Sequence, residues 1–121
     1  MTSPLSVAAA LQDPTPHEGA MVTFVGYVRA MEKGQKIKGL VYEAYASMAR
    51  KEIERLAREI HLQHPVTFVR LIHRIGKVAV GEAAIVLLVM AGHRSEAFEF
   101  VKIMMDRLKV DVPIWKVDVV L

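Results

Sequence analysis

Apolar and polar positions along the chain fall into two rhythms, a period of two and a period near 3.6, broken by glycine and proline. Ala20 to Val28 reads AMVTFVGYV, which predicts a strand with Val22, Phe24 and Val28 on one face and Thr23 and Tyr27 on the other. Leu40 to Tyr45 (LVYEAY) predicts a second strand, and the polar stretch Ala30 to Gly39 between them predicts a hairpin with a mobile, basic tip. From Met48 to about Leu62 the spacing of Ala49, Ile53, Leu56, Ala57 and Ile60 is that of one helix face. Ser47 is placed to cap this helix, and Glu54 and Arg58 to pair on its wet side. Val66 to His73 alternates again, Arg74 to Glu82 reads as a turn region bracketed by Gly76 and Gly81, and Ala83 to Met90 (AAIVLLVM) is a buried strand.

The pattern is densest between Gly92 and Lys116. Ser95 is an N-cap candidate, and Ala97, Phe98, Val101, Met104, Met105 and Leu108 make a helix face that Pro113 prevents from running far past Lys109. Ile114 to Leu121 alternates as a last strand. Residues 1–19 are weakly patterned, with a short helix expected over Ser6 to Leu11 and a connector around Pro14, Pro16 and Gly19. The expected architecture is a single α+β domain over residues 1–121, with mostly antiparallel strands and two main helices.

Composition narrows the function classes. At 121 residues the chain buries enough surface to fold without staples, and it has no cysteine, which excludes disulfides, thiolate nucleophiles and cysteine-ligated metals. No signal-peptide pattern opens the sequence and no apolar run is long enough to span a bilayer, so a cytoplasmic location is expected. A net charge of +3 permits an anionic ligand without arguing for nucleic acid. The apolar share of 53% is high for so small a chain and predicts an interface.

Three groups of cations are candidates for chemistry. His93 and Arg94 precede a helix, where unpaired amides and the dipole favour an anion. Lys109 and Lys116 flank the other end of that helix. Arg107 beside them disfavours their charge and the helix C-terminus favours it, so which effect prevails is open. Arg29 closes a strand, where a guanidinium can be aimed at a phosphate, and Lys33, Lys36 and Lys38 follow it in the loop. Each group has a plainer reading as a solvated turn, a dipole-complementing helix end or a solubilising loop. His61 and His64 lack a third ligand, so no metal is expected; His73 reads as a hydrogen-bonded histidine on a strand face, and Met104 and Met105 as packing.

The stretches GAMVTFVGYVR, LVYEAYASMA, HRIGKVAVGE, GHRSEAFEFVKIMMDRLKV and DVPIWK, in this order, resemble the large, catalytic subunit of molybdopterin synthase, the MoaE type, from about Gly19 to Lys116. The resemblance implies an α/β hammerhead fold and a central homodimer within a heterotetramer. It also implies a small ubiquitin-like sulfur-carrier partner of the MoaD type, whose C-terminal Gly-Gly thiocarboxylate enters the active site. The implied reaction transfers two sulfurs to cyclic pyranopterin monophosphate, giving the dithiolene of molybdopterin, with no cofactor. By motif position it implies substrate binding by Arg29, His93 and Arg94, and catalysis and substrate binding by Lys109 and Lys116. Lys109 would act nearest the carrier's acyl group, and Lys116 would orient and neutralise the substrate. Many members of that family read Trp-Lys-Lys-Glu and continue into a tail; here Val117 and Asp118 follow Lys116.

A helix of the predicted length separates His93 and Arg94 from Lys109 by about 20 Å at 1.5 Å per residue. One small pocket on one chain does not hold both, so the sequence predicts a site shared between two copies. Three other readings stand beside the synthase: a phosphate-ester enzyme, for which no nucleophile or metal motif is present; a nucleic-acid-binding domain, for which aromatics are few; and a non-catalytic anion-binding or carrier-binding scaffold dimer.

Overall fold

The computed structural model describes residues 4–121. Its elements in order are α1 (Val7–Ala10), β1 (Ala20–Tyr27), β2 (Met31–Glu32), β3 (Gln35–Lys36), β4 (Gly39–Ala44), α2 (Ala46–Gln63), β5 (Phe68–His73), β6 (Gly76–Ala79), β7 (Ala83–Ala91), α3 (Arg94–Asp111) and β8 (Ile114–Val120). Every strand pairing among the described residues is antiparallel, which bears out the α+β expectation. The strands form two three-stranded sheets, β1-β7-β5 and β6-β4-β8, and a two-stranded ribbon, β2-β3.

The apolar run of β7 is buried along its whole length because β7 is the central strand of the first sheet. One of its faces, Ile85, Leu87, Val89 and Ala91, packs under α2 and α3 with Leu56, Ile60, Phe100, Met104 and Leu108. On the other face Arg70 of β5, which pairs with Leu88, reaches the N-terminal segment. It donates to the Ala10 carbonyl at 2.8 Å and the Gln12 amide oxygen at 3.2 Å, so the weakly patterned segment is fastened to the sheet. A second apolar cluster of Val28, Ile37, Leu40, Val78 and Ala84 joins the two sheets.

The structure corrects the sequence expectations in five places. First, β1 and β4 do not pair as a hairpin. The Val28 amide bonds the Glu82 carbonyl and the Gly81 amide bonds the Val28 carbonyl, so β1 stays on the first sheet while β4 joins β6 and β8. The hairpin that does form is confined to the loop: Lys33 (φ 50°) and Gly34 (φ 79°) make the two-residue turn between β2 and β3. Second, residues of the expected turn region form β6, which pairs with β4 from Gly39↔Ala79 to Tyr42↔Gly76. Third, α2 begins at Ala46 rather than after Ser47. The Tyr45 amide bonds the Pro113 carbonyl and the Tyr45 ring packs edge-on to Trp115 at 5.4 Å, so the turn into helix occurs there. The ion pairs found on its wet side are Arg55 with Glu52 and Glu59, each at 2.8 Å.

The fourth correction is the start of α3. β7 ends at Ala91 and the chain bends at Gly92 and His93; His93, extended at φ −131° and ψ 144°, takes the N-cap position with no side-chain capping bond, and Ser95 lies inside the first turn. The fifth is its apolar face, which is rotated from the expected one. Phe100 is fully buried, whereas Phe98 is 59% exposed. Phe100→Ala is therefore expected to lower stability by about 3–5 kcal/mol, because the cavity it leaves is enclosed by α2 and β7. Phe98→Ala should change it by under about 0.5 kcal/mol, and urea denaturation of the two variants checks the contrast.

Candidate active site

The end of α3 and the start of β8 are held in fixed relation by Val112 and Pro113. Val112 is buried, its amide closes the last turn of the helix on the Leu108 carbonyl, and Pro113 begins the extended segment. β8 then pairs with β4, and a register shift between Val41 and Tyr42 sets Lys116 opposite Tyr42. Directly opposed residues of an antiparallel pair share a face. Lys109, two residues from the helix end, and Lys116, three residues into the strand, therefore line one cavity of about 510 Å³.

The wall of that cavity is aromatic and apolar. Phe24 and Tyr27 of β1, Tyr42 of β4, His73 of β5, Met105 and Leu108 of α3, and Trp115 of β8 contribute to it. The bulge in β1 between Gly26 and Tyr27 exposes Tyr27 at the rim, and a side chain at Gly26 would collide with Ile85. The Tyr42 and His73 rings meet edge to face at 5.0 Å. Burial, followed by the charge of Glu32, raises the Tyr42 phenol above its ordinary pKa, so Tyr42 is a neutral hydroxyl at neutral pH.

His73 is set by the segment after it. Its Nδ1–H donates to the Arg74 carbonyl at 2.6 Å. Arg74 is itself buried: its amide bonds the Ala84 carbonyl, its guanidinium bonds the Lys77 carbonyl at 3.0 Å and meets Glu82 at 3.2 Å. Glu82 accepts the Ala79 amide at 2.8 Å, and this bond, with the contact to Arg74, holds its carboxyl below the usual range. The segment from Arg74 to Glu82 is thus a clamp between the two sheets that presents His73 to the cavity. Burial lowers the His73 pKa more than the bond to the Arg74 carbonyl raises it.

The candidate cations fall in three places. Lys109 and Lys116 share the cavity, but Arg29, His93 and Arg94 do not line it. His93 and Arg94 are exposed at the start of α3, about 22 Å along the axis from Lys109. Arg29 is exposed at the root of the β2–β3 ribbon. Arg107, expected to crowd the lysines, is engaged by Glu59 of α2 and Asp111, each at 3.2 Å. Lys116 meets Glu32 of the ribbon at 3.4 Å. His61 and His64 have local roles: the His61 ring accepts the Val66 amide, and the His64 ring bonds Glu96 in the first turn of α3. Tyr42, His73 and Trp115 were not singled out in the sequence as parts of the cavity. Their strand positions alternate ordinarily, and only the pairing of β4 with β8 and the clamp after β5 bring them to the lysines.

An antiparallel α+β protein with two lysines in an aromatic-walled cavity is the class that fold and site define. The chain matches the MoaE protein family model over residues 1–111 and belongs to that family. It is 40% identical over 104 residues to a molybdopterin synthase catalytic subunit of Staphylococcus carnosus, covering 86% of this chain and 69% of the relative. It is 39% identical over 105 residues to the human protein of that name, covering 87% of this chain and 56% of the relative. A crystal structure of molybdopterin synthase from Staphylococcus aureus superposes with a TM-score of 0.87 at 34% identity, covering 95% of this chain and 85% of that one. A complex of subunits 1 and 2 of the molybdopterin-converting factor from Helicobacter pylori superposes with a TM-score of 0.71 at 25% identity, covering 86% and 71%. No helix among the described residues is long and apolar enough to cross a membrane.

The lowered His73 pKa fixes the sign of a pH effect. A histidine held neutral in the fold stabilises it above the ordinary histidine pKa of about 6.5. That contribution is lost as pH falls from there through the folded value, because the unfolded chain takes up the proton first. The urea midpoint is expected to fall between pH 7 and pH 5, and His73→Gln to flatten that slope. Paired denaturation curves at the two pH values check it.

Proposed function

We propose that this chain is the catalytic subunit of a molybdopterin synthase. It takes sulfur from the thiocarboxylated C-terminus of a small MoaD-type carrier and transfers it to cyclic pyranopterin monophosphate. The observation that carries this reading is the convergence of Lys109 and Lys116 on one cavity of about 510 Å³ in a chain of the MoaE family. The cavity suits the chemistry: its aromatic walls offer faces for a flat pterin, its lysines offer charge for a phosphate, and its open rim admits an extended carrier tail.

A thiocarboxylate sulfur is already a nucleophile, so the chain needs to supply no thiol and contains none. Once sulfur is bonded to the substrate, release of the carrier requires water to attack the carrier's acyl carbon. An ammonium beside that carbon stabilises the oxyanion that forms, and the dry wall strengthens the effect. Lys109 takes this role, and Lys116 holds the substrate's anionic group. Arg29, His93 and Arg94 bind substrate from the second copy in a homodimer, which accounts for the roughly 22 Å that α3 places between Arg94 and Lys109 on one chain.

Lys109→Ala and Lys116→Ala are each expected to lower molybdopterin formation by roughly 10²-fold or more. The assay supplies thiocarboxylated carrier and precursor and detects product as its fluorescent oxidised derivative. Wild-type protein that binds carrier yet makes no product would instead identify the scaffold. The shared site has its own test. Arg94→Ala mixed and re-dimerised with Lys109→Ala should regain activity that neither variant has alone, since one hybrid site then contains both native groups. Failure to complement, with dimers formed, would place each site within a single copy.

A further inference from the structure

The β2–β3 ribbon is anchored beside the cavity it borders. Ile37 at its root is buried, its amide bonds the Ala30 carbonyl, and the Lys38 amide bonds the Val120 carbonyl on the strand that carries Lys116. From Arg29 to Lys38 the chain has four basic residues and one acid, Glu32. That acid is the residue turned to the cavity side: its carboxylate lies 3.4 Å from the Lys116 ammonium, with only 19% of its side chain exposed. Its charge also reaches Tyr42, the cavity residue paired with Lys116 across β4 and β8. The ion pair thus places a negative charge where an anionic ligand would be held.

We propose that Glu32 is the resident counterion of Lys116, which an anionic ligand displaces when it binds. Glu32 is a positioning residue: it acts on ligand through the lysine. It keeps the ammonium at the rim of the empty cavity and opposes weakly charged anions there. Inorganic phosphate, which carries between one and two charges at neutral pH, competes for the lysine more strongly than a singly charged carboxylate does. The contact is long, at 3.4 Å, and its lysine is half exposed, so it is weak enough to be exchanged. The identity of the anion as the phosphate of the precursor rests on the function proposed above; the counterion role does not.

Trp115 is the only tryptophan in the chain and lines the cavity beside Lys116, so its fluorescence reports binding there, with calorimetry as a second readout. Wild type, Glu32→Gln and Glu32→Asp are titrated with inorganic phosphate at low and moderate salt. Glu32→Gln is expected to bind phosphate about threefold more tightly, and the gain should shrink as salt rises. Glu32→Asp, which keeps the charge, should stay near wild type. A contact that merely props the ribbon predicts weaker or unchanged binding on its loss. Equal or weaker phosphate binding by Glu32→Gln, or no binding by either protein, would overturn the proposal. In the synthase assay, Glu32→Gln should lower KM for the precursor without raising kcat. Tighter phosphate binding with no product from wild type would defeat the synthase reading and leave the counterion in place. Normal product formation with unchanged KM and phosphate affinity would do the reverse.

Discussion

Burial of β7 is the constraint on which the rest of the molecule depends. A strand with no polar side chain from Ala83 to Ala91 is stable only with both faces covered and both edges paired. β1 and β5 supply the pairing, and α2 and α3 cover one face. α3 follows the strand after two residues, Gly92 and His93, so the strand also fixes where the helix starts and how it lies. Its 18 residues and the proline after it then fix where Lys109 ends and β8 begins. The lysines are thus placed by an apolar strand that touches the cavity only at its first residues, Ala84 and Ile85.

Electrostatics at the cavity follow from how the surrounding charges are disposed of. Arg107 is drawn to Glu59 and Asp111, and Arg74 is consumed by Glu82 and the Lys77 carbonyl. Tyr42 and His73 are held neutral by burial. What remains at the cavity is two ammonium groups, one of them facing a carboxylate, against a wall of rings. In such surroundings a fixed charge acts more strongly on a developing oxyanion than it would in open water.

Much of this was legible in the sequence, and the reasons are local. The run Ala83 to Met90, the helical spacing of Leu56 and Ile60, and Pro113 after Lys109 are all short-range signals, and each element they predict is found. The misses arise where partners are distant in sequence. Alternation in β1 and β4 says that both are strands but not that they belong to different sheets; the bonds of Val28 to the Gly81–Glu82 turn decide that. The same holds for Phe98 and Phe100, which both suit an apolar helix face, and only the seating of α3 on α2 and β7 selects Phe100. Cation positions were readable because helix ends and prolines mark them. The neutral half of the cavity was not, because Tyr42, His73 and Trp115 meet through strand register.

The separation of the cations along α3 bears on how such a site would work. A helix is stiff over this length, so the backbone positions of Arg94 and Lys109 of one chain stay about 22 Å apart along its axis. A ligand held by both sets must bridge two copies, and its binding then stabilises the pairing as well as the substrate. The exposed apolar groups agree with a covered surface there: Phe24 and Tyr27 lie at the cavity, and Phe98 lies on α3 between the two cation sets. Phe24 and Tyr27 sit on β1, an edge strand whose outer side no neighbour in its sheet covers. An apolar edge strand beside a cationic cavity, with His93 and Arg94 a helix length away on the same chain, is the arrangement that the proposed shared site rests on; under that proposal, pairing is a condition of catalysis rather than an accompaniment to it.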